Sequence, residues 1–127
     1  MLANYTPAGF IAVDDSDRAV GFYRDTLGLD YQGFDGFAHR FRLPGMNLRI
    51  VAPPGGRAKA DYTVFGWESP DIEADVAALT ATGVTFIRYA FFGEQQDAQG
   101  IWTAPGGDKV AWFLDPDGNN LSLAQHV

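Results

Sequence analysis

Nine side chains in this sequence have the chemistry to hold or change a small molecule. His39 stands in the alternating stretch Phe37-Ala38-His39-Arg40-Phe41-Arg42-Leu43, on the strand face of Phe37 and Phe41. An imidazole can both donate and accept, so His39 is a candidate hydrogen-bonding or proton-transfer group. Arg49, with Arg40 and Arg42, forms a basic cluster whose guanidiniums could clamp a carboxylate or phosphonate. Tyr62 offers a phenol that could orient a ligand. Ser122 offers a hydroxyl, but no His and Asp stand near it in sequence to make it a nucleophile. Trp102 and Trp112, with Phe92 in Phe91-Phe92-Gly93-Glu94-Gln95-Gln96, supply planar rings that could sandwich an aromatic ligand under a mobile rim. Each has a plainer reading. His39 and the indoles suit a packed core, Tyr62 a strand edge, and the arginines a solvated, ion-paired face.

Composition narrows the chemistry. No cysteine is present, which excludes disulfides, thiolate catalysis and cysteine–zinc sites. Only two histidines occur, and the second, His126, is expected to fray near the chain end. The formal net charge of −7, with nine scattered basic residues, disfavours nucleic acid and anionic membranes as partners and favours a cationic ligand. No signal-peptide pattern and no apolar run near the ~20 residues of a membrane span are visible, so a cytoplasmic location is expected. Aromatic residues make up 14% of the 127, enough to fill a core and line a pocket.

Two similar runs of elements position these residues. Residues 10–13 read as a buried strand, and Asp14-Asp15-Ser16-Asp17 as the cap of a helix with Ala19, Val20, Phe22, Tyr23 and Leu27 on its apolar face. Gly28 suits the C′ position. Strands are expected at 31–34, 37–43 and 46–51, then a Pro53-Pro54-Gly55-Gly56 linker. The second half repeats the order. A strand covers 62–67, and Ser69 caps a helix with Pro70 at its first position and Ile72, Val76 and Leu79 as the buried stripe. A strand covers 84–92, a loop 93–99, and a hairpin joins 101–103 to 110–113. The stretch 112–123 enters a turn at Asp115-Pro116-Asp117-Gly118-Asn119 and leaves as a terminal strand, with Leu121 and Leu123 on one face and Ser122 on the other. The expected architecture is α+β. Two βαβββ modules, about 8–53 and 60–125 within a single domain 1–127, form a curved mixed sheet with an open cup and helices outside. A ferredoxin-like sandwich is the main competitor.

Three stretches occur in a telling order: Val13-x-Asp15-x-x-Arg18-Ala19-x-x-Phe22-Tyr23, then Leu27-Gly28-Leu29, then Phe113-x-Asp115-Pro116-Asp117-Gly118-Asn119. In this order they resemble the vicinal oxygen chelate superfamily, which holds glyoxalase I, extradiol dioxygenases, fosfomycin-resistance enzymes and bleomycin-binding proteins. The likeness spans residues 8–125 and implies paired βαβββ modules around a cup, and a homodimer. It also implies a divalent metal held by a His early in the first strand, a His at the start of the second module and a Glu on the last strand. The matching positions here carry Ala8 or Phe10, then Tyr62, then Ser122, and Arg49 is the first-module counterpart of Ser122. No cofactor is therefore expected. A relocated metal site of His39 with Glu94 or Asp97 is the alternative on ligand type.

Three functions follow as expectations. One is metal-independent binding of a small apolar or aromatic, and on charge grounds cationic, molecule, similar to bleomycin sequestration. The second is a lyase or isomerase using His39, Tyr62 and Glu94 without the usual metal site. The third is an interaction module whose cup is filled by its own side chains.

Overall fold

Alternation along 39–43 is reproduced in burial: His39, Phe41 and Leu43 are buried while Arg40 and Arg42 are exposed. In the computed structural model, which describes every residue from Met1 to Val127, this strand belongs to a unit spanning Met1–Lys59. The unit runs β1 (Ala8–Ala12), α1 (Ser16–Val20), β2 (Asp30–Phe34), β3 (His39–Leu43) and β4 (Met46–Val51). The sheet order is β1-β4-β3-β2, with β1 parallel to β4 and the other pairs antiparallel. A parallel pair needs a crossover, which the helical segment after β1 begins.

Asp15 caps that helix, its carboxylate accepting from the Arg18 N–H at 3.0 Å. Past Val20 the winding loosens to π-helical over Gly21–Thr26, and the Leu27 N–H donates to the Phe22 carbonyl five residues back. Gly28, at φ +74, reverses the chain. The wider turn carries Tyr23 fully into the core, where its ring meets Phe22 edge-on at 5.2 Å and Phe41 at 6.2 Å. At the sheet edge, β2 is bulged: the register jumps from Tyr31 to Gly33 and leaves Gln32 without a cross-strand partner.

The second unit, Ala60–Val127, repeats the plan. It contains β5 (Thr63–Glu68), α2 (Ile72–Ala81), a 3₁₀ segment (Ala90–Gln95), β6 (Trp102–Thr103), β7 (Lys109–Leu114) and β8 (Asn120–Gln125). Its order, β5-β8-β7-β6, is that of the first unit. Ile72 and Val76 of α2 are buried with Ala111, Phe113, Leu121 and Leu123 of the sheet. The cap of α2 is Asp71, two residues beyond the expected Ser69; its carboxylate accepts from the Ala74 N–H at 3.2 Å. Ser69 instead braces the entry, accepting from the Asp71 N–H at 3.1 Å and donating to the Asp75 carboxylate. The turn before β8 is built on Asp115, only 3% exposed, which accepts from the Asp117 and Asn119 N–H groups and the Asn119 amide. No helix is long and apolar enough to cross a membrane.

Two expectations are corrected. The halves do not join into one curved sheet with an open cup. There are two separate four-stranded sheets, neither closed nor strongly curled. The reason is the pairing: β1 takes β4 and β5 takes β8, so every ladder finds its partner inside its own unit. Residues 84–92 are also not a strand. They make one isolated bridge, Phe86 to Phe113, and then coil into the 3₁₀ segment. A side chain explains this. Gln96, 3% exposed, accepts from the Tyr89 N–H at 2.7 Å and donates to the carbonyls of Ile87 at 2.8 Å and Gly100 at 2.9 Å. Its amide does the work of a neighbouring strand.

Candidate functional site

In the second unit the pleat sends Ala111, Phe113, Leu121 and Leu123 into the core and turns their neighbours Trp112 and Ser122 to the opposite face. Trp112, Ser122 and Gly66 lie in register across β7, β8 and β5. Gly66 is required there: a Cβ would stand 2.5 Å from the Ser122 Oγ and 2.9 Å from its carbonyl oxygen. The Ser122 hydroxyl is half-buried and has no hydrogen-bond partner within the protein.

Three rings, Tyr89, Phe92 and Trp102, gather on Trp112. Phe92 lies nearly parallel to both indoles, 4.7 Å and 22° from Trp102 and 5.6 Å and 17° from Trp112. The two indoles are 6.1 Å apart. Tyr89 meets Trp112 edge-on at 5.4 Å, and Phe91 packs on Phe92 at 4.5 Å. Polar groups fix the arrangement. The Asn120 amide donates to the Tyr89 hydroxyl at 2.9 Å while accepting from Thr63 at 3.1 Å, and the Trp102 N–H donates to Gln95 at 3.2 Å. Phe92, Trp102 and Trp112 remain half-buried, and Phe91 is 78% exposed. Gly93 breaks the segment beneath them at φ 55, ψ −126.

The structure therefore brings Phe92, Trp102, Trp112 and Ser122 to one face of one unit. Tyr62 belongs to the same unit but lies just before β5 and is 71% exposed. The sequence reading did not single out Tyr89 or Gln96. The strand expected for 84–92 and the loop expected for 93–99 hid both, because Gln96 acts through its side chain on backbone that a strand would otherwise have paired.

His39 and Arg49 belong to the first unit and lie on opposite faces of its sheet. His39 pairs in register with Ile50 on the core side. Its Nδ1 is 2.6 Å from the Tyr31 hydroxyl and its Nε2 is 3.3 Å from an Asp17 oxygen, with the Phe34 ring at 4.8 Å. Arg49 stands on the other face between Phe10 and Arg40 and pairs with the Asp35 carboxylate. That carboxyl is lowered to about 2 by the Ala38 and Phe37 N–H groups and then by Arg49. His126 is not frayed. It lies 2.8 Å from Asp108 and 3.4 Å from Glu68, and the Asp108 hydrogen bond foremost raises its pKa.

The glyoxalase/bleomycin resistance protein/dioxygenase superfamily profile matches residues 4–123. Among solved structures, a member of that superfamily from Sphaerobacter thermophilus is 26% identical, with a TM-score of 0.74, over 99% of this chain and 100% of that one. A lactoylglutathione lyase from Agrobacterium tumefaciens is 20% identical, with a TM-score of 0.64, over 96% and 93%. TioX from Micromonospora sp. ML1 is 16% identical, with a TM-score of 0.71, over 98% and 100%. No curated protein matches the chain. The positions at which the resemblance implies metal ligands hold aliphatic, aromatic and hydroxyl groups, and no cluster of three or more His, Cys, Asp or Glu side chains could hold a metal ion. Asp97, half of the relocated alternative, is spent on a turn, accepting from the Gln99 and Ile101 N–H groups at 2.9 Å. The donor set does not fit a divalent ion.

Proposed function

The chain belongs to the glyoxalase/bleomycin resistance protein/dioxygenase superfamily, and on that premise we propose that it binds a small planar aromatic molecule without a metal, on the ring-lined face of its second unit. The observation that carries this is the near-parallel stack of Phe92 on Trp102 and Trp112. Two indoles already hold one flat ring, and a guest of similar shape would find the same attraction by stacking on them or by displacing Phe92. The unengaged Ser122 hydroxyl beside Trp112 offers a polar contact to orient it. A net charge of −7 favours a neutral or cationic guest over an anionic one.

The test is a fluorescence titration with a planar cationic dye of the acridine type, with and without a metal chelator. Saturable quenching unaffected by the chelator is expected. Trp102→Ala and Trp112→Ala should each weaken binding about tenfold, the scale of a lost stacking contact. If both variants keep their circular dichroism and bind as tightly as the parent protein, the reading fails. The stack also favours a second reading, a face filled by its own ring; dye binding by Phe92→Ala but not by the parent would select it.

A further inference from the structure

Three of the nine basic residues of this acidic chain share one face of the first unit's sheet. Arg40 and Arg42 alternate on β3, and Arg49 is the cross-strand partner of Arg40. Like charges so placed repel one another, so the arrangement calls for compensation. Arg49 has it in Asp35. Arg40 and Arg42 make no ion pair, although Asp30 is the cross-strand partner of Arg42. Each is oriented by a neutral acceptor on the same residue: Arg40 donates to the Gln32 backbone carbonyl at 3.0 Å and Arg42 to the Gln32 side-chain oxygen at 3.1 Å.

Gln32 is the bulged residue of β2. The bulge takes its peptide out of the ladder, which frees the carbonyl for Arg40. Its amide nitrogen is fixed by Asp30 at 2.9 Å, and this turns its oxygen towards Arg42. One residue thus aims two guanidiniums without neutralising either. Beside them is a recess of 390 Å³ lined by Ala8, Gln32, Arg40, Arg42, Asn47 and Arg49, a size suited to a small ligand.

We propose that this recess is an oxyanion-binding site, centred on β3, for a small molecule bearing a phosphate or carboxylate group. Guanidinium N–H groups not used by Gln32 would donate to the anion's oxygens, and the Asn47 amide would complete the set. Every residue lining the recess belongs to the first unit, and the recess takes a ligand of opposite electrostatic preference to that of the ring-lined face of the second. Its success or failure is independent of that reading.

Isothermal titration of the whole protein with inorganic phosphate, and separately with acetate, tests it at about 10 mM ionic strength, where charges are weakly screened. Saturable binding with Kd of about 1 mM is expected for at least one anion. Phosphate alone would assign a tetrahedral group and acetate alone a planar one. Arg40→Ala and Arg42→Ala should each weaken it about tenfold, Arg40→Lys should restore part of the loss, and Lys109→Ala should leave it unchanged. Gln32→Ala, which keeps both charges but removes the acceptor that aims Arg42, should also weaken binding. Absence of saturation with both anions, or binding that survives Arg40→Ala and Arg42→Ala, overturns the proposal. So does a set of arginine variants that alter only the sedimentation of the protein, because the face would then serve self-association.

Discussion

The single hydrogen of Gly66 decides where the Ser122 hydroxyl can lie. A methyl group there would stand 2.5 Å from the Ser122 Oγ and 2.9 Å from its main-chain oxygen, and only the first of these can rotate away. Gly66→Ala should therefore cost about 1–3 kcal/mol in urea unfolding, as overpacking does. Adding Ser122→Ala should recover only part of it; full recovery would mean that the main-chain contact is harmless. Asp35 supplies a pH test. Its folded pKa, about 2, lies below the ordinary 3.8, so its contribution to stability is present above 3.8 and lost as pH falls towards 2. The stability difference between the parent protein and Asp35→Asn should stay constant above pH 3.8 and narrow below it. A gap that keeps its size through that window would show that the carboxylate's charge is irrelevant. The Gly66 contact escaped sequence reading because it depends on a neighbour far along the chain, Ser122, 56 positions on; the Asp35 shift is mostly local, set by the N–H groups of Ala38 and Phe37 before Arg49, 14 positions on, adds to it.

Elements marked by alternation, capping residues or turn chemistry were legible; those set by the contacts of one side chain were not. The β3–β4 and β7–β8 pairs followed from alternation and turn chemistry, and the start of α1 from its run of capping residues. The π-helical winding at Gly21–Thr26 had no local signature, because the burial of Tyr23 against Phe41 goes with it. The segment 84–92 has the composition of a strand, and its pairing was taken over by Gln96. That substitution can be tested at the scale of the element. Gln96→Leu leaves one N–H and two carbonyls without their partner and should destabilise the protein by about 2–4 kcal/mol. It should also shift the emission of Trp102 and Trp112, since the segment carrying Tyr89 and Phe92 loses its anchor. Unchanged emission would separate the ring cluster from Gln96.

At the scale of the whole molecule, the duplication of the βαβββ plan was readable, whereas the form of the sheet was not. Local patterning specifies which face of a strand is buried. It does not say whether strands from two halves share a ladder, and here they do not. The irregular stretch 52–62 joins the units. Doubling its length with Gly-Ser repeats inserted after Lys59 should change stability by no more than about 0.6 kcal/mol, with no change in circular dichroism, because every ladder closes inside its own unit. A loss several times larger would mean that the junction itself is specified.

The two marginal strands β2 and β6 also bear on solubility. One is interrupted at Gln32 and the other offers only Trp102 and Thr103, so neither presents an unbroken row of peptide groups to a visiting chain. Fibril growth by strand addition would find poor templates at these borders, a safeguard obtained from an interruption in one module and from brevity in the other.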